Sequence, residues 1–109
     1  MLRLVVNGEA VLEYQPQARL PGHVRNFLVR MDADMDDGFS LAGQVVEQPD
    51  DMQRVHFVAI QLFQSFMREN ERLRAASCAW LSQRVPELRE VKVEDSEEEV
   101  SLELIMDKK

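Results

Sequence analysis

Four aspartates stand within six positions, Asp32, Asp34, Asp36 and Asp37, and Gly38 follows them. Carboxylates at that density can hold a divalent cation. A calcium loop of the EF-hand type needs oxygens at positions one, three and five, glycine at six and a bidentate acid at twelve. Counting from Asp32 places Asp34 and Asp36 correctly but sets Asp37 at the glycine position and Gly43 at the acid position. Counting from Ala33 places Gly38 correctly and removes Asp32, Asp34 and Asp36 from the ligand positions. On an extended strand, alternate aspartates would project to one side about 7 Å apart, too wide for one ion without a bend. The run therefore reads as a solvated outer face closing on a turn. No metal and no cofactor is assigned.

Two further residues have the chemistry for a site. His56 lies inside the apolar arc of a helix expected over 50–69, and its ordinary pKa near neutrality suits a general base or a ligand. No second histidine follows at the next helical turn, however, and 52–68 contains no Asp or Glu. Cys78 sits in AASCAW, without the glycine-rich or helix-start surroundings that expose and activate a thiol, and reads as a small buried hydrophobe. Together, His56 and Cys78 define one alternative function: a small enzyme or ligand-binding protein with a pocket between a sheet and helix 50–69. The sequence holds no glycine-rich phosphate loop, no Cys-x-x-Cys and no His-Glu-x-x-His. The leading expectation is a non-enzymatic domain.

Charge narrows the partners. The 109 residues carry a formal net charge of −7. Residues 32–51 hold seven acids and no base, 94–109 hold seven acids and two lysines, and 52–93 hold seven bases against four acids. Such a surface repels a phosphate backbone, and among the arginines of 68–89 the only aromatic residue is Trp80. Nucleic acid is thus disfavoured. Apolar runs are a few residues each, so no membrane span is expected. The opening MLRLVVNGEA is too short in apolar length for an export signal. With a single cysteine, a disulfide framework cannot form, and a reducing, cytoplasmic address is expected.

The elements that would position these residues follow from periodicity. A hydrophobic content of 45% and a charged content of 30% describe a folding chain, of a length for one domain. LRLVVNGEAVLEY reads as a hairpin about Asn7-Gly8, over 2–14. A two-residue turn would set Leu4 opposite Val11. A longer loop would align Leu2, Leu4 and Val6 with Tyr14, Leu12 and Ala10, and Arg3 with Glu13, and side-chain pairing favours this second register. QPQARLPG, 15–22, reads as a loop. In 26–47, Phe27, Val29, Met31, Ala33 and Met35 alternate, and a turn at Asp36-Asp37-Gly38 would pair Met35 with Phe39, Ala33 with Leu41 and Val29 with Val45. A second hairpin is expected there in preference to a helix, whose wheel misplaces Val29 and Ala33. Asp50 and Gln53 form a capping box for the helix over 50–69. A second, thin helix spans 70–85 after a break near Asn70 and stops at Pro86. A third hairpin closes the chain over 89–106. The predicted architecture is α+β, a largely antiparallel sheet of three hairpins packed against two helices.

The helix over 50–69 is apolar around more than half of its circumference, so it should be covered on two sides. Phe57 projects from its polar side. With His56 it marks an expected association surface for a protein partner, a second copy of this chain included.

Overall fold

Asn7 and Gly8 both adopt positive φ, 51° and 82°, the geometry that lets two residues reverse a twisted pair of strands. They join β1 (Leu2–Val6) to β2 (Glu9–Tyr14). Both registers weighed from the sequence occur, one at each end of the ladder. Val6 faces Glu9 and Val5 faces Ala10 next to the turn, whereas Leu4 faces Leu12, Arg3 faces Glu13 and Leu2 faces Tyr14 beyond a bulge. The bulge satisfies turn chemistry and side-chain pairing together, because one inserted residue restores the in–out alternation. The computed structural model describes residues 2–15, 22–41 and 44–107, so most of the expected loop at 15–22 lies outside the described residues.

The hairpin expected over 26–47 is not formed. Its first arm is helix α1 (Gly22–Asp36), and only the second half makes strands, β3 (Phe39–Leu41) and β4 (Gln44–Val46), paired with one another in a separate two-stranded sheet. Leu28, Met31 and Met35 are buried at helical spacing, and Val29 is simply left 62% exposed. Alternation in this stretch arises because Ala33 and Val29 are apolar without being core. Gly38 still supplies a left-handed residue (φ 93°), but it ends a helix rather than turning a hairpin: its N–H donates to the Met35 carbonyl at 3.0 Å.

Helices α2 (Asp51–Met67) and α3 (Glu71–Arg84) fall where the sequence places them. Asp50 accepts from the Gln53 N–H at 2.8 Å, and the Gln53 side chain accepts from the Asp50 N–H at 2.9 Å. The break between the helices is made by Glu69 in the left-handed region (φ 55°) and by Asn70, whose side chain accepts from the Leu73 N–H at 3.1 Å. Strands β5 (Leu88–Asp95) and β6 (Val100–Met106) complete a four-stranded sheet in the order β2-β1-β5-β6. The fold is α+β with three helices, not two. Its main sheet is mixed, because β5 runs parallel to β1. Asn7 seals that junction. It both donates to the Asp95 carbonyl at 3.1 Å and accepts from the Asp95 N–H at 2.8 Å, extending the ladder past the turn.

One core joins the layers: Leu2 and Leu4 of β1 and Val91 and Val93 of β5 are buried with Val58, Ala59 and Leu62 of α2 and Cys78 to Leu81 of α3. Arg3, Glu13 and Glu103 alternate to the opposite, exposed side of the sheet. The most enclosed helix is α3, with six consecutive residues from Ala76 to Leu81 buried. Its small residues let neighbours approach closely, while on α2 Val55, Val58, Ala59 and Leu62 are buried and Phe57, Phe63 and Phe66 pack against the same core. On α2, Met52 and Met67 remain exposed.

Gly38 is a position where glycine is required. A Cβ there would lie 2.6 Å from the Val46 carbonyl oxygen, whereas one at Gly22 would meet nothing within 4 Å. Gly38→Ala should cost about 2 kcal/mol through strain in the left-handed region, read as a lower urea midpoint with unchanged slope. Gly22→Ala should leave the midpoint within about 0.5 kcal/mol.

Candidate functional site

Because 32–36 is helical, Asp32 and Asp36 lie one turn apart on a common face of α1, facing α2 and α3. The Trp80 indole N–H donates to Asp32 Oδ1 at 2.7 Å, and Arg84 Nη2 donates to Asp32 Oδ2 at 2.6 Å. Arg54 of α2 donates to Asp36 Oδ1 at 2.6 Å and reaches the Asp32 main-chain carbonyl at 3.5 Å. A helix that ends in aspartates opposes its own dipole, whose C-terminus carries partial negative charge. Two arginines from neighbouring helices supply the compensation. Burial works against the charged form of Asp32, but the hydrogen bonds from Arg84 and Trp80 and the charges of Arg84 and Arg54 outweigh it. Its carboxyl is held below the ordinary aspartate value. Asp32 and Asp36 are therefore the tie between helices and not the ornament of a bend. Among the described residues no group of three or more His, Cys, Asp or Glu side chains converges as a cation site would require.

A cleft of about 480 Å³ adjoins this network, walled by Asp32, Arg54, Trp80, Arg84, Met52 and Met106 among others. Both arginines are already matched by Asp32 and Asp36, so the cleft has little free positive charge with which to draw an anion.

His56 is half-buried, and its Nδ1 lies 2.9 Å from the Met52 carbonyl one turn earlier on α2. A carbonyl only accepts, so Nδ1 carries the proton in this contact. Cys78 is buried in α3, and desolvation pushes its thiol up to about 12 despite the opposing charge of Arg74. At neutral pH it is a protonated thiol, neither nucleophile nor thiolate ligand. The residue it influences is Tyr14, whose phenol is raised first by burial and then by Cys78. His56 and Cys78 share no hydrogen bond among the described residues, and neither lines the cleft beside Asp32.

Phe57 is placed differently from the sequence expectation. It stacks on Phe39 of β3, with ring centroids 4.2 Å apart and planes 16° from parallel. The two rings form one wall of an apolar groove of about 380 Å³, which Phe27, Met31 and Met35 of α1 and Leu73 of α3 also line. Its polar groups are Asp34 and Gln61. Asp34 is the sole charged side chain of this lining, and among the described residues it makes no ion pair and no hydrogen bond. The lining thus combines three phenylalanines, two buried thioethers and one carboxylate without an ion pair. No protein family matches the chain, and neither the curated proteins nor the solved structures yield a significant relative.

Phe27 and Phe39 were not singled out from the sequence, because the hairpin reading gave both to a sheet face. The partners of Asp32, which are Arg54, Trp80 and Arg84, were missed for a related reason: their contacts with it span 22 to 52 positions.

The lowered pKa of Asp32 has a definite sign. A carboxylate held below its unfolded value adds stability that is present above that value, about 3.9, and lost as pH falls through the lower folded value. Urea unfolding of the wild type and of Asp32→Asn should therefore differ by a constant margin near neutrality, of order 1–2 kcal/mol for a partly exposed network. The margin should shrink below about pH 3.9. A margin that stays constant into strong acid would show that the charge is not what Asp32 contributes.

Proposed function

We propose that this chain is a small non-enzymatic domain that works by binding another protein, and that its recognition surface is the groove between α1, β3 and α2. The observation that carries the reading is the groove itself. Aromatic and methionine side chains form apolar surfaces that adapt to an inserted side chain, and here Phe27, Phe39 and Phe57 share one lining with Met31 and Met35. Asp34 adds a directional element. A segment that seats an apolar side chain and brings a lysine or arginine beside it satisfies both the pocket and the carboxylate, and the net charge of −7 favours a basic partner at longer range. Burying one large apolar side chain contributes about 2–3 kcal/mol. Tight binding therefore requires further contacts along α1 and β3.

In this reading Phe57 is part of the binding surface, as the sequence suggested, while His56 serves α2 through its bond to Met52. The buried thiol of Cys78 gives no support to a catalytic role. No helix among the described residues is long and apolar enough to cross a membrane. A reducing cytoplasm remains the proposed address, on the ground of the single cysteine.

Selection from a random displayed-peptide library tests the proposal. Enriched peptides should share an aromatic or long aliphatic residue next to Lys or Arg, and should shift the amide resonances of Phe27, Asp34, Phe39 and Phe57. Phe57→Asp, with its fold verified by circular dichroism, should weaken them at least tenfold, and Asp34→Asn should weaken the basic ones selectively. Absence of enrichment, or equal binding by Phe57→Asp, would overturn the assignment.

A further inference from the structure

Among the described residues, strand β6 borders the main sheet with β5 on one side only. Its sequence, VSLELIM, has a single charge at Glu103 and no proline, and Val100 to Ile105 pair with Asp95 to Glu90 in unbroken register. The opposite edge is better defended, since β2 carries Glu9, Glu13 and the bulge. Charges, prolines and bulges are the usual devices that stop an edge from recruiting another strand. On the helix side, Leu102, Leu104 and Met106 are only half-buried, while Val91 and Val93 beside them are fully buried.

We propose that β6 is the self-association edge of this chain: two copies join antiparallel through β6 into one continuous sheet, with Leu104 facing Leu104 across the two-fold axis. This register sets Leu102 against Met106 of the second copy on the helix side. On the other side it sets Glu103 against Ile105 and Ser101 against Asp107. A register centred on Glu103 would oppose like charges directly, which is destabilising. One centred on Leu102 would slide the acidic turn at Glu97 to Glu99 over Ile105 of the second copy.

Charge selects the orientation as well. Antiparallel pairing about Leu104 holds the two acidic turns roughly 40 Å apart at about 3.3 Å per residue, several Debye lengths at physiological salt, where that length is about 8 Å. A parallel pairing would set them side by side. Each acidic turn instead lies toward the far end of the other copy, where Arg89 is already paired with Asp107 at 3.2 Å and no second acidic turn opposes it. This edge is separate from the groove lined by Phe27, Phe39 and Phe57, so the two surfaces fail or stand independently.

Sedimentation of the full chain at micromolar concentrations should give a mass near twice 12.6 kDa. Under mild oxidation, Leu104→Cys should form a disulfide-linked dimer at least tenfold faster than Val100→Cys, whose position in this register is remote from its counterpart. The native thiol does not compete, because Cys78 is buried. Phe57→Asp should leave the mass doubled. A mass of one chain overturns the proposal, as do equal cross-linking rates for the two variants or a dimer abolished by Phe57→Asp.

Discussion

The tie between Asp32 and its partners decides how the helices stand. Helix α1 ends in a run of carboxylates that its own backbone dipole disfavours, and it contains no basic residue in its last turn. Left alone, such a segment has weak grounds for being a helix. Arg84 and Trp80 of α3 meet the Asp32 carboxylate, while Arg54 of α2 meets Asp36 and the main-chain carbonyl of Asp32. Two of the seven acids in 32–51, Asp32 and Asp36, thereby meet two of the seven bases in 52–93, Arg84 and Arg54. A buried indole N–H is satisfied by the same contact, so specificity of orientation comes with it.

This constraint also shapes the groove lined by the phenylalanines. With Asp32 and Asp36 turned toward the arginines, the helical repeat carries Phe27, Met31 and Asp34 round to the side where β3 begins. Gly38 then brings Phe39 back over Phe57. The approach depends on glycine, because the Val46 carbonyl passes where any Cβ would stand. The groove is thus assembled from α1, β3, α2 and α3, whose side chains also pack in or against the one core. Asp34 lies on the face of α1 away from Arg54 and Arg84, which pair with Asp36 and Asp32 instead.

A different economy holds in α3. Ala76, Ser77, Cys78 and Ala79 occupy little volume, so the helix can be buried through six consecutive residues and still admit neighbours closely. Cys78 belongs to that role. Its environment raises the thiol well above neutrality, which argues for packing and against reactivity. In the sheet, Asn7 takes the corresponding part, using one side chain to join a hairpin turn to a parallel neighbour 88 positions away.

Local chemistry was legible in the sequence wherever one short-range interaction dominates. The capping box at Asp50 and Gln53, the break at Asn70, the stop at Pro86, the Asn7-Gly8 turn and the closing hairpin all depend on residues within a few positions of each other. Even the left-handed residue at Gly38 was readable, though not whether it ended a helix or turned a hairpin. The segment from Val24 to Met35 satisfied two periods almost equally, and Val29 and Ala33, misplaced on a helical wheel, counted against a helix when read locally. What decided between them was positive charge from Arg54 and Arg84 together with burial of Leu28, Met31 and Met35, all supplied from distant parts of the chain. Parallel pairing of β1 with β5 and the meeting of Phe27, Phe39 and Phe57 likewise exist only after the helices have packed. Nearest-neighbour preferences fix where elements begin and stop, but when two periods compete the energy of long-range contacts selects one.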